Sequence, residues 1–356
     1  MAEGYCCREV VPFGAMVLVE CLYVGSRILF KAASLKGLSN FVFIFYSYAI
    51  ATLALLPFAI LFLRRTALPP LNSCLPYRIF LLGLLGFSAQ LLGYKGIEYS
   101  SPTLASAMSN LTPAFTFILA ICFRMEKSSL RSSSIRLKII GTTVSIVGAL
   151  VVILYKGPAI ISTSSASHIL FHPLGSAQSK WVIGGILLAA EFFLVSTWYI
   201  VQVKVMEEYP VEIVVVFFYN LCGSVISAPV CFLAKTNISA WRLRPNIALV
   251  AVLYNGLTVL SFGSVIHTWG LRLKGPLYVA IFKPFSIAIA AAMSVVFLGD
   301  CLYLGSVVGS IIICIGFYAV IWGKAKEEMG GCGNGSFESS STPKTPLLQS
   351  TNVQDV

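Results

Sequence analysis

Ten runs of apolar residues, each about 20 residues long, are separated by polar breaks along this chain. They fall at 12–33, 41–63, 77–97, 102–123, 136–155, 181–203, 213–234, 246–268, 276–298 and 302–323. A helix rises about 1.5 Å per residue, so each run is long enough to cross roughly 30 Å of hydrocarbon. The pattern predicts an all-α polytopic membrane protein with ten transmembrane helices. Most breaks are short, but 158–180, with His168, His172 and Pro173, reads as a linker between two halves. After Gly323 the apolar pattern stops, and 324–356, rich in Gly, Ser, Thr and Pro, reads as a disordered tail.

Composition supports that reading. Of 356 residues, 57% are hydrophobic and only 11% charged, against about 25% charged in a soluble domain. So little charge cannot coat a water-facing surface, which points to the lipid bilayer as the surroundings. The formal net charge of +11 does not imply nucleic acid, because the Lys and Arg residues sit in short breaks between apolar runs. With ten crossings, fifteen of them lie on the side of the tails and eight on the other. The positive-inside rule then puts both termini in the cytosol, in either the plasma membrane or the tonoplast. The N-terminus shows no basic leader with a small-residue cleavage site, so no cleaved signal peptide is expected.

Catalysis and cofactors find no support in the inventory. The ten cysteines are scattered without a CxxC pair, and His168, His172 and His267 have no ligand partners in sequence, so neither a disulfide framework nor a metal site is expected. Cys6 and Cys7, ahead of the first run, are candidates for palmitoylation. The two aspartates, Asp300 and Asp355, exclude an intramembrane aspartyl pair, and there is no Walker loop for ATP. The chain reads as no enzyme and as needing no cofactor.

A repeat organises the runs. Gly96, Pro102 and Glu126 recur as Gly270, Pro276 and Asp300, each 174 residues on. Gly141 and Gly148 recur as Gly309 and Gly316, and Gly14 and Glu20 recur as Gly185 and Glu191. Between Gly96 and Gly270 the chain crosses five times, an odd number, so the second copy must point the opposite way. The expected organisation is a first five-helix repeat at 10–157 and an inverted second one at 181–323. Inverted repeats enclosing a midplane site are a recurrent transporter architecture.

Four charged residues fall well inside runs, away from their ends: Glu20, Arg27, Glu191 and Lys283. Each costs roughly 2.5–3.5 kcal/mol at a span centre, so they should face a cavity or one another. Residues seven and eleven apart share a helical stripe. That aligns Glu20, Arg27 and Lys31 in the first run, and Glu191, Trp198 and Gln202 in the sixth. Pro113 and Pro284 each break a backbone bond near mid-membrane, beside Asn110 and Lys283, and exposed backbone at that depth is tolerated where it lines a cavity. Glutamates opposite a lysine suit a zwitterion, with Lys283 taking a carboxylate, Glu20 or Glu191 an ammonium group, and Trp198 standing over a cation or ring. A buried glutamate is also a candidate proton carrier.

The stretches GYKGIEYSSPTLASAMSNLTPAFTFILAICFRMEK (93–127), KIIGTTVSIVGALVVILYKGP (138–158) and FKPFSIAIAAAMSVVFLGDCLYLGSVVGSIIICIGFYAVIWGK (282–324) resemble the plant nodulin-like, walls-are-thin-related family. These usually-multiple-acids-move-in-and-out transporters carry two EamA-type repeats and belong to the drug/metabolite transporter superfamily. The resemblance covers about residues 10–325. It implies ten spans, movement of amino acids or of auxin-like compounds, and a path that adds Gln90 to the residues above. Members often carry Gln where Glu20 stands and Glu where Asp300 stands. The expected function is a bidirectional facilitator or exporter of amino acids or related small metabolites working by alternating access. Alternatives are a sugar-nucleotide or organic-cation carrier of the same fold, or a membrane sensor or scaffold. Expected partners are a small solute and the bilayer, with cytosolic kinases at Thr342-Pro343 and Thr345-Pro346, and no nucleic acid. Asn237-Ile238-Ser239 is a glycosylation sequon on the non-cytosolic side.

Overall fold

The computed structural model describes residues 10–65, 74–122, 133–155, 157–161, 174–234, 241, 243, 246–280, 282–299 and 302–333. Within them lie α1 (Val11–Leu35), α2 (Asn40–Arg65), α3 (Cys74–Tyr99), α4 (Pro102–Met108), α5 (Thr112–Cys122), α6 (Ser133–Leu154) and β1 (Ala159–Ile161). There follow α7 (Leu174–Glu208), α8 (Glu212–Ala234), α9 (Ile247–Tyr254), α10 (Ser264–Ala280), α11 (Lys283–Met293), β2 (Leu302–Tyr303) and α12 (Leu304–Gly333). A 3-10 turn at Ser109–Leu111 joins α4 to α5, and wide π-helical turns fill Asn255–Gly263 and Ser294–Leu298.

Among the described residues, eight helical stretches are long and apolar enough to cross a membrane. Their outer faces carry large apolar side chains with no protein cover: Leu233, Val296 and Phe297 are 83%, 74% and 71% exposed. Only lipid accommodates so much uncovered apolar surface. The chain is an integral, multi-pass, α-helical membrane protein. Local signals set several helix starts. Ser101 accepts a bond from the Leu104 amide at 3.2 Å ahead of Pro102, the capping residue followed by a first-turn proline. Asn246 does the same for Ala248 at 2.9 Å.

Inside the bundle, two packing devices stand out. Aromatic rings fill the interior, as where Phe30, Phe43 and Tyr94 meet with centroids 4.6–4.9 Å apart. Elsewhere glycines let backbones touch. A β-carbon on Gly141 would lie 2.6 Å from the Gly316 carbonyl oxygen, and one on Gly148 would lie 2.8 Å from the Ile313 amide. Small residues at such crossings replace the hydrophobic drive that lipid cannot supply. α6 and α12 therefore pack as one tight pair.

The structure differs from the sequence expectation at four places. α7 begins at Leu174 rather than 181, shortening the expected linker, and β1 pairs antiparallel with β2 in a small ribbon. α10 runs helical through Pro276 to Ala280, so the turn expected before Pro276 is not seen and the break falls just ahead of Pro284. α12 continues ten residues past Gly323 to Gly333, because KAKEEM is built from strong helix formers that extend a helix already started. Cys6, Cys7, Glu126, His168, His172, Asn237, Asp300, Thr342 and Thr345 lie outside the described residues.

The glycine crossing makes a prediction. Gly316→Leu forces α6 and α12 apart and lowers stability by about 1–3 kcal/mol, the usual range for overpacking. Thermal unfolding in detergent should show a lower midpoint than wild type. Gly14→Leu, where a β-carbon meets nothing within 4 Å, should not.

Candidate functional site

The intramembrane charges converge on one central cavity of about 160 Å³. Glu20 and Arg27 reach it from α1, Gln90 from α3, Glu191 and Trp198 from α7, and Lys283 from α11. Ser109 and Thr112 add the proline-broken turn, and Tyr23, Tyr199 and His267 complete an aromatic wall. Of Glu20, Gln90, Asn110, Glu191, Trp198 and Lys283, Asn110 alone lies off the lining. It is fully buried, and its amide donates back to the carbonyls of Ser106 and Ala107 at 3.2 and 3.3 Å.

Two ion pairs cross the cavity. Lys283 Nζ donates to Glu20 Oε1 at 2.7 Å, a short charge-assisted bond. The Lys283 ammonium also lies 5.5 Å from the Tyr23 ring, within cation–π range. Arg27 and Glu191 form the second pair, but their nearest atoms are 3.8 Å apart, beyond hydrogen-bond reach. The Arg27 guanidinium lies 5.5 Å from the Phe192 ring centre. Glu191 folds over Gly93, where a β-carbon would come within 2.6 Å of both its carboxylate oxygens. Tyr199 shares a hydrogen bond with His267 Nε2 at 3.2 Å.

A hydroxyl bond recurs beside both prolines, but only at Pro113 does it reach the carbonyl that the proline frees. The Ser109 carbonyl accepts the Thr112 hydroxyl at 2.7 Å, and the Lys283 carbonyl accepts the Ser286 hydroxyl at 2.7 Å. Pro113 and Pro284 thus sit in local hydroxyl-capped turns that hold polar side chains at the cavity wall. The π-helical stretch is likewise satisfied across helices, with Asn220 donating to the Leu260 carbonyl at 2.8 Å.

The ends of the expected stripes leave the cavity. Eleven residues past Glu20 is about 16 Å along the helix, which carries Lys31 to the end of α3. There it donates to the carbonyls of Ile97, Glu98 and Ser100 at 2.9, 3.0 and 2.7 Å. A cation on the last carbonyls of a helix satisfies groups that have no intrahelical partner. Gln202 likewise turns to Thr268 Oγ1 at 3.2 Å. Tyr23, three residues after Glu20, was legible from the neighbour rule for helices; nothing local to His267 or Tyr199 marked them as cavity residues.

Comparison with known proteins agrees with this geometry. Residues 13–154 match the EamA-like transporter family. Two WAT1-related proteins of Arabidopsis thaliana are similar to the whole chain: one is 55% identical, covering 100% of this chain and 96% of its own length. The other is 56% identical, covering 90% of each. The chain belongs to the WAT1-related family. A protein of known crystal structure, 15% identical, superposes with a TM-score of 0.52 over 86% of this chain and 97% of the other, a likeness of fold alone. This WAT1-related chain is a membrane transporter of the EamA class within the drug/metabolite transporter superfamily, a plant family by the relatives it matches.

The Lys31 cap separates scaffold from site in this transporter. Lys31→Met removes charge-assisted bonds worth about 1.5–3 kcal/mol, so the melting midpoint in detergent should fall. Because Lys31 is off the cavity, the ranking of solutes in a flux assay should not change.

Proposed function

We propose that the chain carries small zwitterions, amino acids foremost, by alternating access of two inverted five-helix halves, 10–157 and 181–323. Counting the broken α4–α5 stretch and α11 with the eight long helices gives the ten crossings. The observation that carries this reading is that the cavity lining maps onto itself under the sequence repeat. At an offset of 174, Gln90, Gly93, Ser109 and Thr112 become Ser264, His267, Lys283 and Ser286; at 171, Glu20, Val24, Tyr48 and Glu191, Val195, Tyr219 correspond. All of these line the cavity. The hydroxyl-capped turns at Ser109 and Lys283 are such a pair, with equal bond lengths of 2.7 Å. Gly141 meets Gly316, the counterpart of Gly148, and Gly148 meets Gly309, the counterpart of Gly141, across the α6–α12 crossing, as expected where a two-fold axis passes between equivalent helices.

A site at the interface of two exchangeable halves is what alternating access requires. Its charge speaks for the solute class. Glu20 and Glu191 against Arg27 and Lys283 sum to zero, so a net-neutral zwitterion enters with the least electrostatic cost. A sugar nucleotide or an auxin-like anion would bring uncompensated negative charge, and an organic cation the reverse. A sensor or scaffold has no use for a charged cavity shared between halves. Both termini are assigned to the cytosol on the positive-inside rule, in plasma membrane or tonoplast.

Purified protein in liposomes should give saturable flux of radiolabelled amino acids from a panel of neutral side chains. No saturable flux of any solute would favour the scaffold. Lys283→Ala leaves Glu20 buried without its partner, a penalty of about 3–5 kcal/mol when one member of a buried pair is removed, and makes the cavity net negative. Carboxylate-bearing solutes should then lose most of their flux while expression persists, and the double change Glu20→Gln with Lys283→Met should recover part of it. Unchanged transport in Lys283→Ala would overturn the role of this pair. Topology is checked separately. In a cysteine-free background, cysteines replacing the exposed Lys36 and Lys326 should label from opposite sides of the membrane.

A further inference from the structure

The two glutamates occupy equivalent places in the sequence repeat, but their surroundings are unequal. Glu20 shares the cavity with His267 and Lys283, and Lys283 saturates one carboxylate oxygen at 2.7 Å. Around Glu191 the corresponding positions are Gly93 and Ser109. Glycine supplies no side chain there, and the Glu191 carboxylate fills the space it leaves. Among the described residues, Glu191 Oε2 has no hydrogen-bond partner, and neither has Gln90 Oε1. Both are acceptors only in these atoms, both belong to cavity-lining residues, and Arg27, the cation paired with Glu191, stops at 3.8 Å. Other buried acceptors without partners exist, such as Asn110 Oδ1, but that residue is not on the cavity wall. A buried carboxylate oxygen and a buried amide oxygen on the wall of one cavity, both without a donor, call for a donor from the solute.

We infer that Glu191 and Gln90 form the ammonium seat of the carrier, with Arg27 taking the solute's carboxylate, while Glu20–Lys283 is the protein's own closed pair. This rests on the carrier reading above and names the residues that make it selective. A solute ammonium group has three N–H donors; Glu191 Oε2 and Gln90 Oε1 accept two of them. Arg27, drawn no closer than 3.8 Å to Glu191, keeps its planar set of donors for a carboxylate, a geometry guanidinium matches with two parallel bonds. A zwitterion inserted between Arg27 and Glu191 replaces one loose ion pair by two satisfied ones. No such exchange is open at Lys283, whose bond to Glu20 would have to break first. The site therefore selects solutes that carry a primary ammonium beside a carboxylate, and rejects the same skeleton without the ammonium, because that solute leaves both acceptors unsatisfied.

The test uses full-length protein in liposomes with radiolabelled phenylalanine and phenylpropanoate, which share a skeleton and differ in the ammonium group. Wild type should prefer phenylalanine. In Glu191→Gln the ratio of the two kcat/KM values should fall by on the order of 10–100-fold, the usual loss for a charge-assisted hydrogen bond. Gly93→Ala keeps the charge and displaces the flexible carboxylate, so it should lower the same ratio even if Glu191→Gln fails to insert. Lys31→Met, away from the cavity, should leave the ratio as in wild type. Saturable phenylalanine flux in wild type with an unchanged ratio in Gly93→Ala and Glu191→Gln overturns this assignment alone. A wild-type protein without saturable flux of phenylalanine or any other amino acid of the panel overturns the carrier reading, and the assignment falls with it.

Discussion

Four ionisable side chains lie where lipid offers no water, and the arrangement of the bundle follows from having to neutralise them. Glu20 and Arg27 sit on one helix, yet neither settles on the other. Glu20 bonds Lys283 from α11, and Arg27 faces Glu191 from α7. Each pair joins segments more than 160 residues apart in sequence. In a membrane, apolar contact between helices gains little over apolar contact with lipid, so polar links of this kind carry much of the information about which helix goes where. Lys31 on the end of α3 and Asn220 on the Leu260 carbonyl extend the same principle outward from the cavity.

The carrier proposed here would also have to move, and the packing separates what is fixed from what can change. The α6–α12 crossing is glycine against backbone, where a β-carbon would not fit. That contact involves no cavity-lining residue and suits a fixed brace. At the cavity the contacts are different in kind. They are long side chains, proline-broken turns capped by single hydroxyls, and a wide helical turn at Asn255–Gly263. Such elements can rearrange by changing rotamers and one or two hydrogen bonds, without prising apart a close-packed interface.

Much of this was legible in the chain itself. A run of about 20 apolar residues has few alternatives to a membrane helix, so the long helices begin and end within a few residues of their expected places, apart from α7, α10 and α12. Glu20, Glu191 and Lys283 announced themselves by their cost in an apolar run, and the structure brings them to one cavity. Trp198 followed from its spacing to Glu191, and Gln90 from the family resemblance. The residues that sequence misplaced are those whose polarity can be satisfied locally. Asn110 turned back on its own helix carbonyls, a competition open to any short amide. Lys31 shares a stripe with Glu20 but lies too far along the axis to share a cavity. Tyr199 and His267 were missed because aromatic and neutral imidazole groups carry no large penalty in a membrane, so nothing in the sequence forces them to a polar site.

The unequal treatment of Glu20 and Glu191 follows from a few positions if the two halves descend from one unit. With a glycine and a serine at both places, the cavity would hold two equivalent open carboxylates and too few cations to balance them. Placing Lys283 and His267 in one copy closes one seat and supplies a charge; Arg27 supplies the other charge without closing the second. Were Arg27 bonded as tightly as Lys283, the cavity would be just as neutral, but any solute would have to break a buried pair before gaining a contact, at a cost of several kcal/mol. Holding one pair at 2.7 Å and the other at 3.8 Å keeps the site neutral at rest while leaving one carboxylate available. Charge balance and vacancy are conflicting demands on a buried site, and a pair that is close enough to neutralise but too far to bond satisfies both.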